Sequence, residues 1–143
     1  MKIEHVAIWT LDIDKMAKFY EKYFNVTIGT KYINEKKGFE SVFLVFDEGS
    51  RIELMKNQSL QNVTNNNVSS VVGCAHLAIS VGSRMNVDSI TSDLRSDGFK
   101  IIDGPRQTGD GYYESVIFDV DGNKIEITEW IGFYIFTNDS FFE

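Results

Sequence analysis

The sequence predicts an α+β fold built from two pseudo-symmetric βαβββ modules. Three observations carry that expectation. Extended and helical patterns follow the order β-α-β-β-β, a polar stretch, then β-α-β-β-β again. The segment HVAIWT at 5–10 returns as HLAISV at 76–81, 71 positions on, and RIEL at 51–54 returns as KIEI at 124–127, 73 positions on. Between the halves, the asparagine-rich run from Asn57 to Ser70 follows neither the helical nor the strand period, which marks a boundary. The expected divisions are 1–57 for the first module, 58–72 for a linker, 73–130 for the second module and 131–143 for an apolar tail.

In the first module, Ile3 to Thr10 reads as a strand with Ile3, His5, Ala7 and Trp9 on one face and Val6 and Ile8 on the other. Asp12 is placed to cap a helix over 13–24, whose buried stripe is Ile13, Met16, Phe19, Tyr20, Tyr23 and Phe24. Val26 to Ile33 is a second strand and Lys36-Lys37-Gly38 a turn. Phe39 to Phe46 is an almost wholly apolar third strand. Arg51 to Lys56 is the fourth, with Ile52 and Leu54 facing one way and Glu53 and Met55 the other.

In the second module, Gly73 to Val81 is a strand carrying His76, Ala78 and Ser80 on one face. Val87, Ile90 and Leu94 form the thin stripe of a helix over 86–97, with Gly98 after its end. Phe99 to Ile102 is a short strand, and 104–111 reads as a glycine-rich loop. Then comes SVIFDVDGNKIEITEW, from Ser115 to Trp130. Two β-forming runs flank Asp119, Asp121, Gly122 and Asn123, which is a hairpin pattern. Ile125 and Ile127 share one face of the last strand, and Glu126 lies on the other. The tail holds Ile131, Phe133, Tyr134, Ile135, Phe136, Phe141 and Phe142, enough apolar surface to require cover from its own domain or from a partner chain.

At 143 residues, 43% hydrophobic and 13% aromatic, the chain suits one compact domain or two small modules sharing a core. A formal net charge of −7 argues against nucleic-acid binding, which needs clustered Lys and Arg. The lone cysteine, Cys74, allows no intramolecular disulfide and reads as a small buried apolar residue at a strand start in preference to a reactive thiol. No apolar run reaches the ~20 residues of a membrane span, and MKIEHVAIW enters strand pattern directly without a leader pattern. A cytoplasmic protein is expected.

The chain has two histidines, and both fall at equivalent places. Each half carries His-x-Ala-Ile on its first strand and Ile-Glu-(Leu/Ile) on its last. If the modules meet by pseudo-symmetry, His5, Glu53, His76 and Glu126 converge. Two imidazoles and two carboxylates form a first shell for a divalent cation such as Zn²⁺, Ni²⁺, Co²⁺, Fe²⁺ or Mn²⁺. Without a cation, paired buried carboxylates would repel. The competing structural reading is two ordinary buried His–Glu pairs. Trp9, Phe43, Tyr112 and Tyr113 either line a cavity or, as the more economical reading, belong to the core.

Paired βαβββ modules bearing HVAI…IELM and HLAI…FDVDGNKIEI resemble the vicinal oxygen chelate superfamily. That group includes glyoxalase I, fosfomycin- and bleomycin-resistance proteins, methylmalonyl-CoA epimerase and extradiol dioxygenases. The resemblance spans about residues 2–130. It implies curved mixed sheets that form a metal-holding cup, the two modules making one domain of this type. The four-donor His/Glu/His/Glu set is most similar to glyoxalase I. The epimerase pattern usually has Gln at the place of Glu53, and dioxygenases and fosfomycin enzymes typically use three protein ligands. Asn57, four residues after Glu53, matches a glutathione-contacting Asn of glyoxalase I. Val120 replaces the proline usual in the family's hairpin. The departure is Trp9, where glyoxalase I generally has an Arg that pairs with a glutathione carboxylate. An aromatic ring does not substitute for that bidentate pair, although Arg106 and Lys124 offer other positive charge.

The resemblance implies a lactoylglutathione lyase-like metalloenzyme that isomerises a thiol–2-oxoaldehyde adduct through an enediolate. One divalent ion, zinc or nickel, would serve it, with glutathione or another thiol as cosubstrate. Glu126 would move the proton, with Glu53 as its counterpart, and Trp9 and Asn57 would contact substrate. The alternatives are a small-molecule or antibiotic-binding resistance protein, and then a metal-dependent epimerase or dioxygenase. A homodimer is expected from the frequency of two-fold association and from the apolar tail.

Overall fold

The structure is a computed structural model and describes residues 2–60 and 73–131. It divides into two compact units. One comprises 1–75 with 118–124, the other 76–117 with 125–143. The tail beyond Ile131 and most of the expected linker lie outside the described residues.

In the first unit, β1 (His5–Trp9) leads into α1 (Ile13–Phe24), then β2 (Thr27–Ile28), β3 (Tyr32–Asn34), a single 3₁₀ turn (Glu35–Lys37), β4 (Phe39–Val45) and β5 (Arg51–Asn57). The sheet order is β1-β5-β4-β2, with β3 also on β4. β1 runs parallel to β5, and the other pairings are antiparallel, so the sheet is mixed. Asp12 caps α1 as expected, its carboxylate accepting the Lys15 N–H at 3.0 Å. The helix buries Ile13, Met16, Ala17, Phe19, Tyr20, Tyr23 and Phe24. On the sheet, Val42, Leu44, Ile52 and Leu54 are buried in turn. The strand expected over Val26–Ile33 is interrupted. Gly29 donates its N–H to the Phe43 carbonyl at 2.8 Å, and the chain pairs with β4 again only from Tyr32. After the 3₁₀ turn, Gly38 takes φ 57, and any Cβ there would press on the Gln58 side chain.

In the second unit, β6 (Leu77–Ser80), α2 (Arg84–Ser96), β7 (Ile101–Gln107), β8 (Tyr112–Phe118) and β9 (Lys124–Trp130) build a sheet in the order β6-β9-β8-β7. β6 starts only at Leu77, so Cys74, expected to be buried at a strand start, precedes the strand and is exposed. β6 is parallel to β9, which repeats the β1–β5 relationship. Ser83 caps α2 two residues earlier than the apolar stripe implied, accepting from the Asn86 N–H at 3.1 Å. The helix buries Val87, Thr91 and Leu94. Thr91 replaces Ile90 in the stripe because its hydroxyl donates to the Val87 carbonyl at 2.6 Å and meets the Ser115 hydroxyl at 2.5 Å. The glycine-rich loop expected over 104–111 is mostly strand. β7 continues to Gln107 through two register shifts against β8, with Gly104 at φ 79 absorbing the distortion.

The β8–β9 turn belongs to the first unit. Buried Asp119 accepts from the Asp121 N–H at 3.0 Å, the Asn123 N–H at 2.8 Å and Asn123 Nδ2 at 2.8 Å. The Thr10 hydroxyl donates to Asp121 Oδ2 at 2.5 Å. Burial, reinforced by the neighbouring Asp119 charge, holds the Tyr20 phenol well above its usual range.

Candidate metal centre

Strand alternation decides which side chains leave the core. On β1 and β5, Val6, Ile8, Ile52 and Leu54 face α1, so His5, Ala7, Trp9, Arg51, Glu53, Met55 and Asn57 face the other way. The register sets Ala7 opposite Glu53, with His5 one step back on the same face. His5 Nε2 lies 3.7 Å from Glu53 Oε2. The other ring nitrogen, Nδ1, is engaged by the Glu4 carboxylate, which also binds Arg51. Those two contacts, His5 first, hold the Glu4 carboxyl below its ordinary pKa. An imidazole oriented through Nδ1 by a carboxylate presents Nε2 outward, the arrangement usual for a histidine ligand.

The second unit repeats the pair. Ala78 stands opposite Glu126, and His76, immediately before β6, brings Nε2 to 3.2 Å from Glu126 Oε2. Both histidine side chains are 38% exposed and the two glutamates 18% and 21%. These are therefore accessible pairs on open sheet faces and not the buried pairs of the competing reading.

The structure thus joins His5 to Glu53 and His76 to Glu126. Among the described residues no group of three or more His, Cys, Asp or Glu side chains gathers as a metal-holding set. The donor chemistry of each pair suits a cation. Two ligands each about 2.1 Å from one ion and about 90–110° apart are themselves separated by roughly 3.0–3.4 Å. The 3.2 Å of His76–Glu126 lies within that range and the 3.7 Å of His5–Glu53 just beyond it.

Trp9 ends β1 opposite Met55, and Asn57 ends β5 opposite Phe39, both on the Glu53 face. The core reading of the aromatic residues does not hold. Trp9 is 46% exposed, and Phe43, Tyr112 and Tyr113 are only part-buried. Trp9 and Phe43 share the parity of Glu53, so they cannot reach the core beneath Ile and Leu. Tyr113 instead donates its hydroxyl to Asp88 on α2 at 2.8 Å.

The sequence pattern alone did not single out Glu114. This carboxylate is buried on β8, opposite Arg106 on β7. Arg106 Nη1 lies 3.6 Å from it, while the same guanidinium grips Asp103 through Nε at 2.7 Å. Arg106 is therefore already paired twice. Burial first, and the Glu126 charge second, push the Glu114 carboxyl up, while Arg106 draws it back. A signal was present: Glu114 interrupts the apolar run YYESVIF as Glu126 interrupts KIEI. Glu4 and Tyr32 carried no comparable signal.

A family model described as Glyoxalase/Bleomycin resistance protein/Dioxygenase superfamily matches residues 2–127. No curated protein matches the chain at a significant level. Among solved structures, the trypanothione-dependent glyoxalase I of Leishmania major superposes with a TM-score of 0.69 at 22% identity, over 89% of this chain and 85% of that one. A glyoxalase family protein from Bacillus cereus gives 0.74 at 18% identity, over 92% and 95%. Glyoxalase I from Zea mays gives 0.70 at 21%, over 89% of this chain but 44% of the maize chain. Likeness at these identities establishes a shared fold.

Proposed function

The chain belongs to the Glyoxalase/Bleomycin resistance protein/Dioxygenase superfamily, and on that footing we propose that it is a glyoxalase I-like, lactoylglutathione lyase-like metalloenzyme acting on a thiol–2-oxoaldehyde adduct. The observation that carries this reading is the repeated pair: a histidine nitrogen beside a glutamate oxygen, at the same register, in both units. His5, Glu53, His76 and Glu126 would hold one divalent ion, zinc or nickel given the nitrogen and oxygen donors. Such an ion, when bound, supplies Lewis acidity to two neighbouring substrate oxygens.

Glu126 accepts the proton from the carbon beside the carbonyl and returns it to the adjacent carbon, and Glu53 is its counterpart. Its part-exposed position on an open sheet face gives substrate access. Glu4 fixes the ring of His5. Trp9 and Asn57 contact the remainder of the substrate. Each unit supplies half of the donor set, and a homodimer is part of this reading because two-fold association can complete two such sites from two copies. A cytoplasmic setting is also part of it, in keeping with a single cysteine.

The test is metal content and turnover measured together. Protein as purified should contain a divalent metal, and the metal-loaded protein should form a thioester from methylglyoxal with glutathione or another thiol. Metal-free protein that yields no thioester with any thiol would overturn the reading. It would favour instead a ligand-sequestering resistance protein of the same superfamily, to which the exposed aromatic residues Trp9 and Tyr32 also lend themselves.

A further inference from the structure

The face of the first sheet that carries His5 and Glu53 continues into a cavity. Glu53, Met55 and Asn57 follow one another along β5 on this face. Opposite them on β4 stand Phe43, Ser41 and Phe39, and β3 adds Tyr32 and Asn34. From Glu53 to Asn57 is four residues, about 13 Å of strand. At the far end lies a cavity of about 640 Å³ lined by Tyr32, Asn34, Lys37, Phe39, Asn57, Gln58 and Ser59. That volume lies within the usual range for a small-molecule site.

The path to the cavity is aromatic. The Trp9 and Phe39 rings meet edge to face, with centroids 6.3 Å apart, and Phe39 meets Tyr32 at 6.2 Å. Trp9 is 46% and Tyr32 55% exposed, a large ring area facing outward.

The polar groups at the end include an amide donor and an ammonium. Asn57 Oδ1 already accepts from the Ser59 N–H and hydroxyl, so the side chain presents its Nδ2 donor. Asn34 is engaged at both ends, its Oδ1 accepting the Lys37 N–H and its Nδ2 donating to the Tyr32 hydroxyl at 3.3 Å. Lys37 is the one charged residue of the lining. Arg51, on the same face of β5, lies 4.2 Å over the Phe43 ring and is bound to Glu4.

We propose that this cavity and the Trp9–Phe39–Tyr32 path bind the non-reacting part of the substrate, and that this part is an aromatic body ending in one anionic group. The inference rests on the reading that His5 and Glu53 hold the reacting end. A peptide thiol with two carboxylates finds a single cation in this lining, whereas an aryl monoanion finds a ring-lined path and a lining that holds one ammonium and the Asn57 amide.

The test is a fluorescence titration of full-length, metal-free protein carrying Trp130→Phe, so that Trp9 reports alone. The probes are 2-naphthylacetate, the neutral 2-naphthylethanol, and S-methylglutathione. Naphthylacetate should bind tightest and quench Trp9. Tyr32→Ala should weaken it about tenfold, equivalent to loss of one aromatic contact. Lys37→Gln should weaken the acid and leave the alcohol unchanged. Both substitutions are at exposed positions, so folding is retained. S-methylglutathione binding as tightly as naphthylacetate, or naphthylacetate binding that ignores both substitutions, overturns the proposal. No turnover occurs in this experiment. Naphthylacetate binding of the expected kind supports the subsite even where no thioester is formed, and its failure in a protein that does form thioester overturns the subsite alone.

Discussion

Glu53 and Glu126 occupy the same place in their two sheets, each opposite an alanine on a parallel neighbour and each beside the Nε2 of a histidine two residues before that alanine. On the proposed reading, equivalence of position makes the two pairs equivalent toward a cation. His5→Ala, Glu53→Gln, His76→Ala and Glu126→Gln should each lower retained metal, as measured by elemental analysis after dialysis. None of the four side chains belongs to the apolar core, so the thermal midpoint of the metal-free protein should stay nearly constant. Glu126→Gln should in addition lower thioester formation by about 10²–10⁴-fold, the loss expected for a proton-transfer group. Full metal retention in both first-unit variants, with loss in both second-unit variants, would contradict the equivalence.

Glu114 gives a prediction with a definite sign. Its carboxyl is raised from the ordinary value of 4.5, first by burial and then by the Glu126 charge. The folded chain therefore holds that proton more tightly than the unfolded chain. The resulting contribution to stability is present in acid and is lost as pH rises from about 4.5 through the raised value. Glu114→Gln removes the titration, so its advantage over the parent protein should grow across that window and vanish below it. Denaturant midpoints of both proteins from about pH 3.5 to 7.5 measure this, and parallel curves would count against the burial argument.

Much of this was legible because period and repeat are local. The α1 stripe from Ile13 to Phe24, its Asp12 cap and the parity that turns Glu53 and Glu126 away from isoleucine are all written in consecutive residues. What was not legible depends on pairing. Strand formers run through Val26–Ile33, but the register against β4 that continues through the Gly29–Phe43 bond has slipped by one residue where Tyr32 pairs with Ser41. Gly104 and Pro105 read as loop because the sequence does not show that β8 can accept a strand with two register shifts. The same limit hid Glu114 and Glu4. A mid-strand carboxylate acquires meaning only when its cross-strand neighbours, Arg106 and Arg51–His5, are known.

The turn at Asp119 should be a stability element. One buried carboxylate accepts three hydrogen bonds, two from backbone N–H groups. Asp119→Ala strands those donors and should cost about 1–3 kcal/mol, the range for donors left without partners. Asp121→Ala loses one bond, from the buried Thr10 hydroxyl to an exposed carboxylate, and leaves that hydroxyl the Asp12 carbonyl at 3.3 Å as a partner, so it should cost about 1 kcal/mol or less. Urea unfolding of the two variants gives the order, and an equal or reversed loss would place the stabilisation at Thr10–Asp121.

Gly104 tests whether the irregular course of β7 is required. It takes φ 79, and a Cβ at this position would run into the Glu114 carbonyl and lie 2.9 Å from Ser115 Cα. Those are backbone atoms of the adjacent strand, which cannot step aside as a flexible side chain could. Gly104→Ala therefore incurs both a left-handed conformation and steric overlap, about 2–4 kcal/mol together. Gly122 offers the control. It has a similar φ of 88, but a methyl group at that position would meet nothing within 4 Å, so Gly122→Ala should cost about 1–2 kcal/mol from backbone strain alone. Relief of the overlap in Gly104→Ala would have to shift β7 against β8, and Arg106 sits on that pairing opposite Glu114. The Gly104 variant should accordingly lose the Arg106–Glu114 contact and show an altered pH dependence of stability, which Gly122→Ala should not. Equal costs for the two variants would mean that β7 has room to follow another path.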